Sequence, residues 1–321
     1  MDLRKIVIES TGGPRQLVVT EVPTPQPGPG QLLVQLEAAG VNYVDISQRR
    51  GEFEVPKPFT PGQEGVGIVK AVGNDVKTHR VGDRVAWINV PGSYAEEVLV
   101  PEALAIAVSQ HLSVEQLLLL QPTTAEYLVH EYGTISPGVT ALVHAAAGGV
   151  GQLLVQWLKH LGATVIATAS ASAKLDTLRK LGADVVIDYT QNRFVDAVHA
   201  ATNGRGVDIA YDGVGKDTLL GSLECLAPKG TVVFYGAASG PPPLIDLRTL
   251  MGKSARVATG ALFMYIADPQ ELQRRGRIAL AALQAGWLRV RRAEPYALTR
   301  AADAHEAIES RRTQGKLFLV P

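Results

Sequence analysis

The stretch VHAAAGGVGQ, residues 143–152, carries the residue types most readily tied to a chemistry. Ala146, Gly148 and Gly151 fall at the three small-residue positions of a G-x-G-x-x-G turn, with Gly149 and Val150 between the last two. Glycines at 148 and 149 let the backbone approach a pyrophosphate. The free N–H groups and dipole of a following helix N-terminus then stabilise its charge. Ala146 departs from the pattern, because its methyl must still fit the tight turn. The competing reading is a glycine-rich turn that binds nothing. The setting weighs between them, since a dinucleotide site requires a strand before the turn and a helix after it.

The same neighbourhood bears on which dinucleotide is expected. An NAD site carries Asp or Glu about 20 residues beyond the turn, where it accepts from the ribose hydroxyls. This chain reads ATASASAK there, with no carboxylate before Asp176. Ser170 and Ser172 offer hydroxyl donors, and Lys174 offers a point charge for a 2′-phosphate that a carboxylate would repel. NADPH is the expected cofactor; the alternative leaves Lys174 as an exposed helix residue.

A second stretch, TPGQEGVGIV (60–69), raises a metal question. With His at position 63 it would resemble half of a zinc site. Catalytic zinc needs about three protein ligands, usually His, Cys or carboxylate. Gln63 is a poor ligand, and the one cysteine, Cys225, lies far along the chain. No metal is expected. Hydride transfer depends on positioning and exclusion of water more than on a strong acid or base. Asn42, Ser47 and Gln63 are the polar candidates for a cleft mouth, Asn42 first among them. The alternative for Asn42 is a turn residue bonding its own backbone. Glu64 is expected to stiffen its turn, and Asp45 to hold a nearby backbone N–H. His144 and Cys225 read as core residues, and Tyr127 and Tyr132 as packing.

These residues need elements to hold them. From 138 to 236 short β-branched runs alternate with helical segments: TALVHAA, TVIATA, DVVIDY, VDIAYDG and GTVVFYG, with helices between them. Strands alternating with helices of this length predict βαβ units and a parallel sheet. Gly162 and Gly182 sit where helix C-caps belong. Residues 1–100 read as β-rich, and LVQLEAAGVN places Val34, Leu36 and Ala38 on one side of a strand. Ser113 and Gln116 have capping-box spacing, so a helix is expected to start there, to be interrupted by Pro122 and to resume towards Gly133. The tail is helical and ends in GKLFLVP, a strand expected to pair back onto the N-terminal β region.

The bulk composition narrows the partners. The chain has 321 residues, with 31 basic and 31 acidic side chains, so no net charge steers it to nucleic acid or acidic lipid. Arg289, Arg291 and Arg292 read as a solvated face. No apolar run approaches the roughly 20 residues that span a bilayer, and a single cysteine suits a reducing, cytoplasmic setting.

Taken in order, HAAAGGVG, SAKLDTLRKLGA, YDGVG and ESRRTQGK resemble the zinc-independent NADPH:quinone oxidoreductases, ζ-crystallin-like members of the medium-chain dehydrogenase/reductase superfamily. The resemblance runs from GGPRQL nearly to the terminal LVP. It implies an α/β protein: a Rossmann doubly wound parallel sheet over 123–261, and a GroES-like β-rich catalytic domain from 1–122 and 262–321. NADPH is then expected in the cleft, with hydride passing to a quinone. The resemblance puts Asn42 near the nicotinamide and Thr124 in the same cleft. Lys174 and Tyr189 go to the adenosine end, and Arg311 near its phosphate. Gly213, Tyr235, Ser239, Leu262 and Phe263 belong to segments that approach the cofactor. It also implies a homodimer through the sheet edge near 254–260.

Two departures bear on the substrate. Family tyrosines are replaced by Ser47 and Phe53, so their hydrogen bonds to a quinone carbonyl are lost. That makes an α,β-unsaturated carbonyl (enone or alkenal) the competing small-molecule substrate. It also motivates a third reading, a non-enzymatic NADPH-binding sensor or RNA-binding protein.

Overall fold

The computed structural model describes residues 2–170, 172–190, 193–291, 295–310 and 313–321, and the side chain of Ser172 lies outside that description. The chain divides into two compact units. The first takes Met1–Thr123, Ile266–Gln284 and Val290–Pro321; the second takes Thr124–Tyr265 and Ala285–Arg289.

The first unit is built on a seven-stranded sheet. Its longest strand, Gln31–Gly40, buries Val34, Leu36 and Ala38, the face the alternation predicts. It is flanked by Glu64–Val72 on one side and by the C-terminal Phe318–Val320 on the other, both antiparallel to it. The terminal strand does pair back onto the N-terminal region. Trp87, on Arg84–Ile88, is fully buried and donates from Nε1 to Ser93 Oγ at 2.9 Å. A Cβ on Gly65 would stand 2.3 Å from the Trp87 ring, so the glycine after Glu64 is what lets the indole pack across the sheet.

The second unit has the expected parallel sheet. Its strand order is Val185–Asp188, Thr164–Ala169, Thr140–Val143, Val207–Asp212, Leu226–Phe234, Arg256–Thr259, every neighbouring pair parallel. The order reverses between Thr140–Val143 and Val207–Asp212, the topological switch point where doubly wound sheets bind ligands. Gly162 and Gly182 follow the helices Gly149–His160 and Ser172–Lys180 with φ of +84° and +91°, a left-handed conformation that a Cβ disfavours.

Three expectations differ from the structure. The capping box is present, Ser113 N–H donating to Gln116 Oε1 at 3.1 Å, but it opens a 3₁₀ turn, Val114–Leu117. Pro122 does not interrupt a helix; it lies in the first turn of Leu120–Glu131, where a missing N–H costs nothing. Finally, 262–265 and 285–289, expected with the catalytic domain, belong to the second unit. The return segment is tied there by Gln156, which accepts from Arg289 N–H at 2.9 Å, and by Trp287 stacked on His160 at 3.9 Å.

Candidate active site

In the second unit, every described residue expected at the cofactor except Thr124 follows the C-terminal end of a parallel strand. Gly148, Gly149, Val150 and Gly151 follow Thr140–Val143; Ser170 and Lys174 follow Thr164–Ala169; Tyr189 follows Val185–Asp188. Gly213 follows Val207–Asp212, Tyr235 and Ser239 follow Leu226–Phe234, and Leu262 and Phe263 follow Arg256–Thr259. The sheet therefore gathers these positions along one edge, the edge where a dinucleotide binds.

The glycine-rich turn is shaped by backbone contact. Gly148 N–H donates to Ala145 O at 2.8 Å, and Ala146 N–H to Thr168 O at 3.1 Å. Ala146, the departure from glycine, is fully buried and its methyl is accommodated. The helix Gly149–His160 starts directly after Gly148, leaving the first-turn N–H groups without intrahelical acceptors. A Cβ on Gly151 would lie 2.5 Å from Ala145 O and 2.7 Å from Ala146 Cα, so only glycine lets the helix close onto the turn. No carboxylate terminates Thr164–Ala169: Ser170 follows directly, and Lys174 is half-buried on the next helix. Burial lowers the Lys174 ammonium below its usual range. Donor-rich turn, small cradle and carboxylate-free strand end fit a phosphorylated dinucleotide.

Beside it, the loop after Asp212 is held by that carboxylate. Asp212 Oδ1 accepts from Val214 N–H at 2.9 Å, Gly215 N–H at 3.0 Å and Thr218 Oγ1 at 2.7 Å, and Oδ2 accepts from Ser222 Oγ at 2.7 Å. Ser239 Oγ donates to Val214 O at 2.8 Å, tying the two loops together. The Tyr235 ring occupies the place a Cβ on Gly213 would take, with its Cζ 2.7 Å away.

The first unit holds a different kind of site. Asn42 precedes the helix Tyr43–Arg50, and its N–H donates to Asp45 Oδ2 at 2.8 Å, so Asp45 does hold a backbone N–H. Asn42 and Asp45 form a capping box at this helix start, and the Asn42 carboxamide also reaches two side chains across the sheet. Its Nδ2 donates to Glu64 Oε1 at 2.9 Å, and its Oδ1 accepts from Lys316 Nζ at 2.8 Å. Lys316 also pairs with Glu64 Oε1, while Glu64 Oε2 accepts from Leu120 N–H at 2.8 Å. Glu64 and Lys316 are 0% and 1% exposed, a buried ion pair with no solvent to share its charge. Room for the carboxylate comes from Gly40, where a Cβ would stand 2.1 Å from Glu64 Oε1.

A second layer lies behind Asp45. Tyr94 Oη donates to Asp45 Oδ2 at 3.3 Å and lies 3.1 Å from His305 Nε2. Burial raises Asp45 from its ordinary 3.8 to about 7, and burial lowers His305 to about 3. The first group therefore resists ionisation and the second resists protonation.

The remaining first-unit candidates are less tightly held. Gln63 is buried and its Nε2 donates to Gln48 Oε1 at 3.3 Å. Ser47 Oγ donates to Glu52 Oε2 at 2.5 Å, and Phe53 is exposed. Among the described residues no three His, Cys, Asp or Glu side chains come together as a metal site. Thr124 is half-buried on Leu120–Glu131, at the start of the second unit. Arg311 and Arg292 lie outside the described residues.

The expected packing residues are packed. His144 is buried, 3.0 Å from Thr168 Oγ1 through Nδ1 and edge-on to Phe194. Cys225 is buried, which pushes its thiol up to about 12 and leaves no reactive thiolate near neutral pH. Tyr127 stacks on Tyr265 at 4.8 Å and donates to Gly260 O at 3.1 Å.

Lys316, Tyr94 and His305 were not anticipated. Lys316 had one faint signal, a cation directly before the apolar run LFLV, as Glu64 is an anion directly before GVGIV. Pairing them needs the sheet register. Phe318 lies opposite Gly40 in an antiparallel pair, which brings Lys316 level with Asn42, and Gly65 lies opposite Ala39, which brings Glu64 level with Gly40.

Comparison with known proteins agrees with this architecture. The family profile described as alcohol dehydrogenase GroES-like domain matches residues 28–110, and that described as zinc-binding dehydrogenase matches 149–277. The 2-haloacrylate reductase of a Burkholderia species is 38% identical, over 98% of this chain and 98% of that protein. The crystal structure of Pseudomonas syringae pv. Tomato DC3000 quinone oxidoreductase superposes with a TM-score of 0.95 at 38% identity, covering 99% of this chain and 100% of that one. Escherichia coli quinone oxidoreductase, solved in complex with NADPH, also gives a TM-score of 0.95, at 34% identity and with the same coverage. On full-length identity and shared fold, this chain is an oxidoreductase that belongs to the quinone oxidoreductase family of the medium-chain dehydrogenase/reductase superfamily.

Proposed function

We propose that the chain is an NADPH-dependent reductase that delivers hydride to a quinone without a metal. The observation that carries this reading is the carboxylate-free strand end at Ser170, with Lys174 beside it, next to a glycine turn that ends in an open helix N-terminus. NADPH supplies the hydride when bound. In this reading the N–H groups at Gly149–Gly151 hold its pyrophosphate and Lys174 with Ser170 takes the 2′-phosphate, choosing NADPH over NADH. Gly213, Tyr235, Ser239, Leu262 and Phe263 line its path, with Tyr189 at the adenosine end. Asn42, with Gln63 and Thr124, orients the acceptor by neutral hydrogen bonds; Ser47 stands nearby without a tyrosine's reach.

A second substrate class, the conjugated alkene of an enone or alkenal, is favoured by two observations. Ser47 and Phe53 offer no phenol to a quinone carbonyl, and Ser47 Oγ already donates to Glu52. The 38%-identical relative is named for reducing a haloacrylate, itself a conjugated alkene. NADPH oxidation followed with a quinone and with an enone, each against NADH, tests the reading. Turnover of either acceptor with NADPH supports a reductase, and their ratio assigns the class; turnover of neither would sink it.

The assembly in this reading is a cytoplasmic two-fold dimer through the edge strand Arg256–Thr259. Among the described residues that strand pairs on one side only, and Leu244, Leu247 and Met251 are 99%, 72% and 75% exposed in the same unit. Sedimentation should give a dimer that Val257→Lys weakens; a monomer at micromolar concentration would remove this part.

A further inference from the structure

The Glu64–Lys316 pair costs desolvation that a pair of well-packed apolar residues would avoid. Its geometry shows what that arrangement achieves. Lys316 Nζ touches both Asn42 Oδ1 and Glu64 Oε1, and Glu64 Oε1 also accepts from Asn42 Nδ2. The three groups close a ring through the carboxamide of Asn42. Closure uses the N–H that is cis to Oδ1, because Nζ bridges Oδ1 and the same carboxylate oxygen. Turning the amide over would set Oδ1 against the carboxylate and NH₂ against the ammonium, both repulsive. The sign of each neighbour therefore fixes which way the amide faces. The second N–H, trans to Oδ1, is left pointing away from the ring. Asn42 is 4% exposed, so that donor has little water to compete for it.

We propose that Glu64 and Lys316 are positioning residues that lock the Asn42 carboxamide in one orientation, so that its remaining N–H is offered to the carbonyl oxygen of the acceptor. This rests on the reading of Asn42 as a substrate-contacting residue. As hydride adds to a quinone or to the β-carbon of an enone, the electron pair moves onto that oxygen. A neutral donor aimed there strengthens as charge develops, while an acceptor in the same place would oppose it. A proton from solvent completes the product. Lys316 and Glu64 touch neither acceptor nor NADPH in this scheme; they act through Asn42.

The test is a double-mutant cycle. Lys316→Met should lower kcat about 10- to 100-fold, the cost of a misplaced group, while NADPH affinity stays within about twofold. Lys316→Arg, which keeps the positive charge, should recover part of kcat. In an Asn42→Leu background, Lys316→Met should add less than about twofold, because the residue it acts through is gone. An undiminished effect of Lys316→Met in that background, or wild-type kcat in folded Lys316→Met, would overturn the proposal. Should Lys316→Met fail to fold, Glu64→Gln/Lys316→Met removes both charges and should show the same loss of kcat; full kcat there is equally contrary. The lock is also read without turnover, from the side-chain amide NMR signals of Asn42. In the wild type both protons should be protected from exchange, with shifts set by the ring, and in Lys316→Met that protection should be lost and the shifts should move. Unchanged signals would refute the lock whether or not the enzyme reduces either acceptor, whereas inactive wild type with a responsive amide would refute only the functional reading.

Discussion

The glycine turn of the second unit and the Asn42 site of the first solve the same problem, holding polar groups in place, by opposite means. The turn works with backbone: N–H groups between Ala145 and Gly151, set by a missing side chain at Gly151, all within one short segment. The Asn42 site works with side chains drawn from positions 42, 64 and 316, and is backed by 45, 94 and 305. Backbone sites tolerate changes of side chain but not of volume. The side-chain site, whose carboxylate fills the space a Cβ on Gly40 would take, depends in addition on both of its charges being present. The first should therefore fail by steric intrusion, the second by an unpaired ion.

Steric intrusion has the largest expected effect. Gly151→Val places carbon against Ala145 O, and NADPH affinity measured by fluorescence titration should fall by roughly two orders of magnitude. Next is Glu64→Gln, which leaves the Lys316 ammonium buried without its anion. Denaturant unfolding should show a loss of about 3–5 kcal/mol, partly restored by adding Lys316→Met; no restoration would mean that the ion pair is not the source of the loss. Lys174→Ala should weaken NADPH about tenfold and leave NADH within about twofold, and an equal effect on both would remove the 2′-phosphate role.

The smallest effect is a pH slope. Asp45 is raised from 3.8 to about 7, so between those values the folded protein keeps a proton that the unfolded chain has released. That contribution is complete below about 4, falls away as pH rises to 7 and is spent above it. His305, lowered to about 3, acts in the other direction: below its ordinary 6.5 the unfolded chain gains a proton that the folded one refuses, so stability drops as pH is lowered from about 6.5 towards 3. Asp45→Asn should remove only the first component, so its melting temperature relative to wild type should rise from pH 4 to pH 7. A constant difference would place Asp45 outside the titration.

How much of this was legible in the sequence follows the same division. The fingerprint, the alternation of strands and helices, the caps at Gly162 and Gly182 and the returning terminal strand are local patterns, and their residues lie a few positions apart. Asn42 stood out by type, and Asp45 as a holder of a backbone N–H follows from a three-residue spacing. The Glu64–Lys316 pair spans 252 positions, and only the register of two strands against Gln31–Gly40 brings it together. Pro122 was misread because its place relative to the helix start decides its effect, and that start is displaced by the 3₁₀ turn at Val114–Leu117. The return of Ala285–Arg289 to the second unit depends on Gln156 and His160, which no spacing in 262–321 reveals.

The proposed chemistry is a metal-free, NADPH-selective hydride transfer. Steady-state reduction of a quinone and of an enone by the purified wild-type protein, with NADPH and with NADH in parallel and a chelator present, tests it most directly. Turnover of at least one acceptor is expected, unaffected by the chelator, with kcat/KM for NADPH at least about tenfold above that for NADH. Loss of turnover with the chelator, a preference for NADH, or no reduction of either acceptor would contradict it.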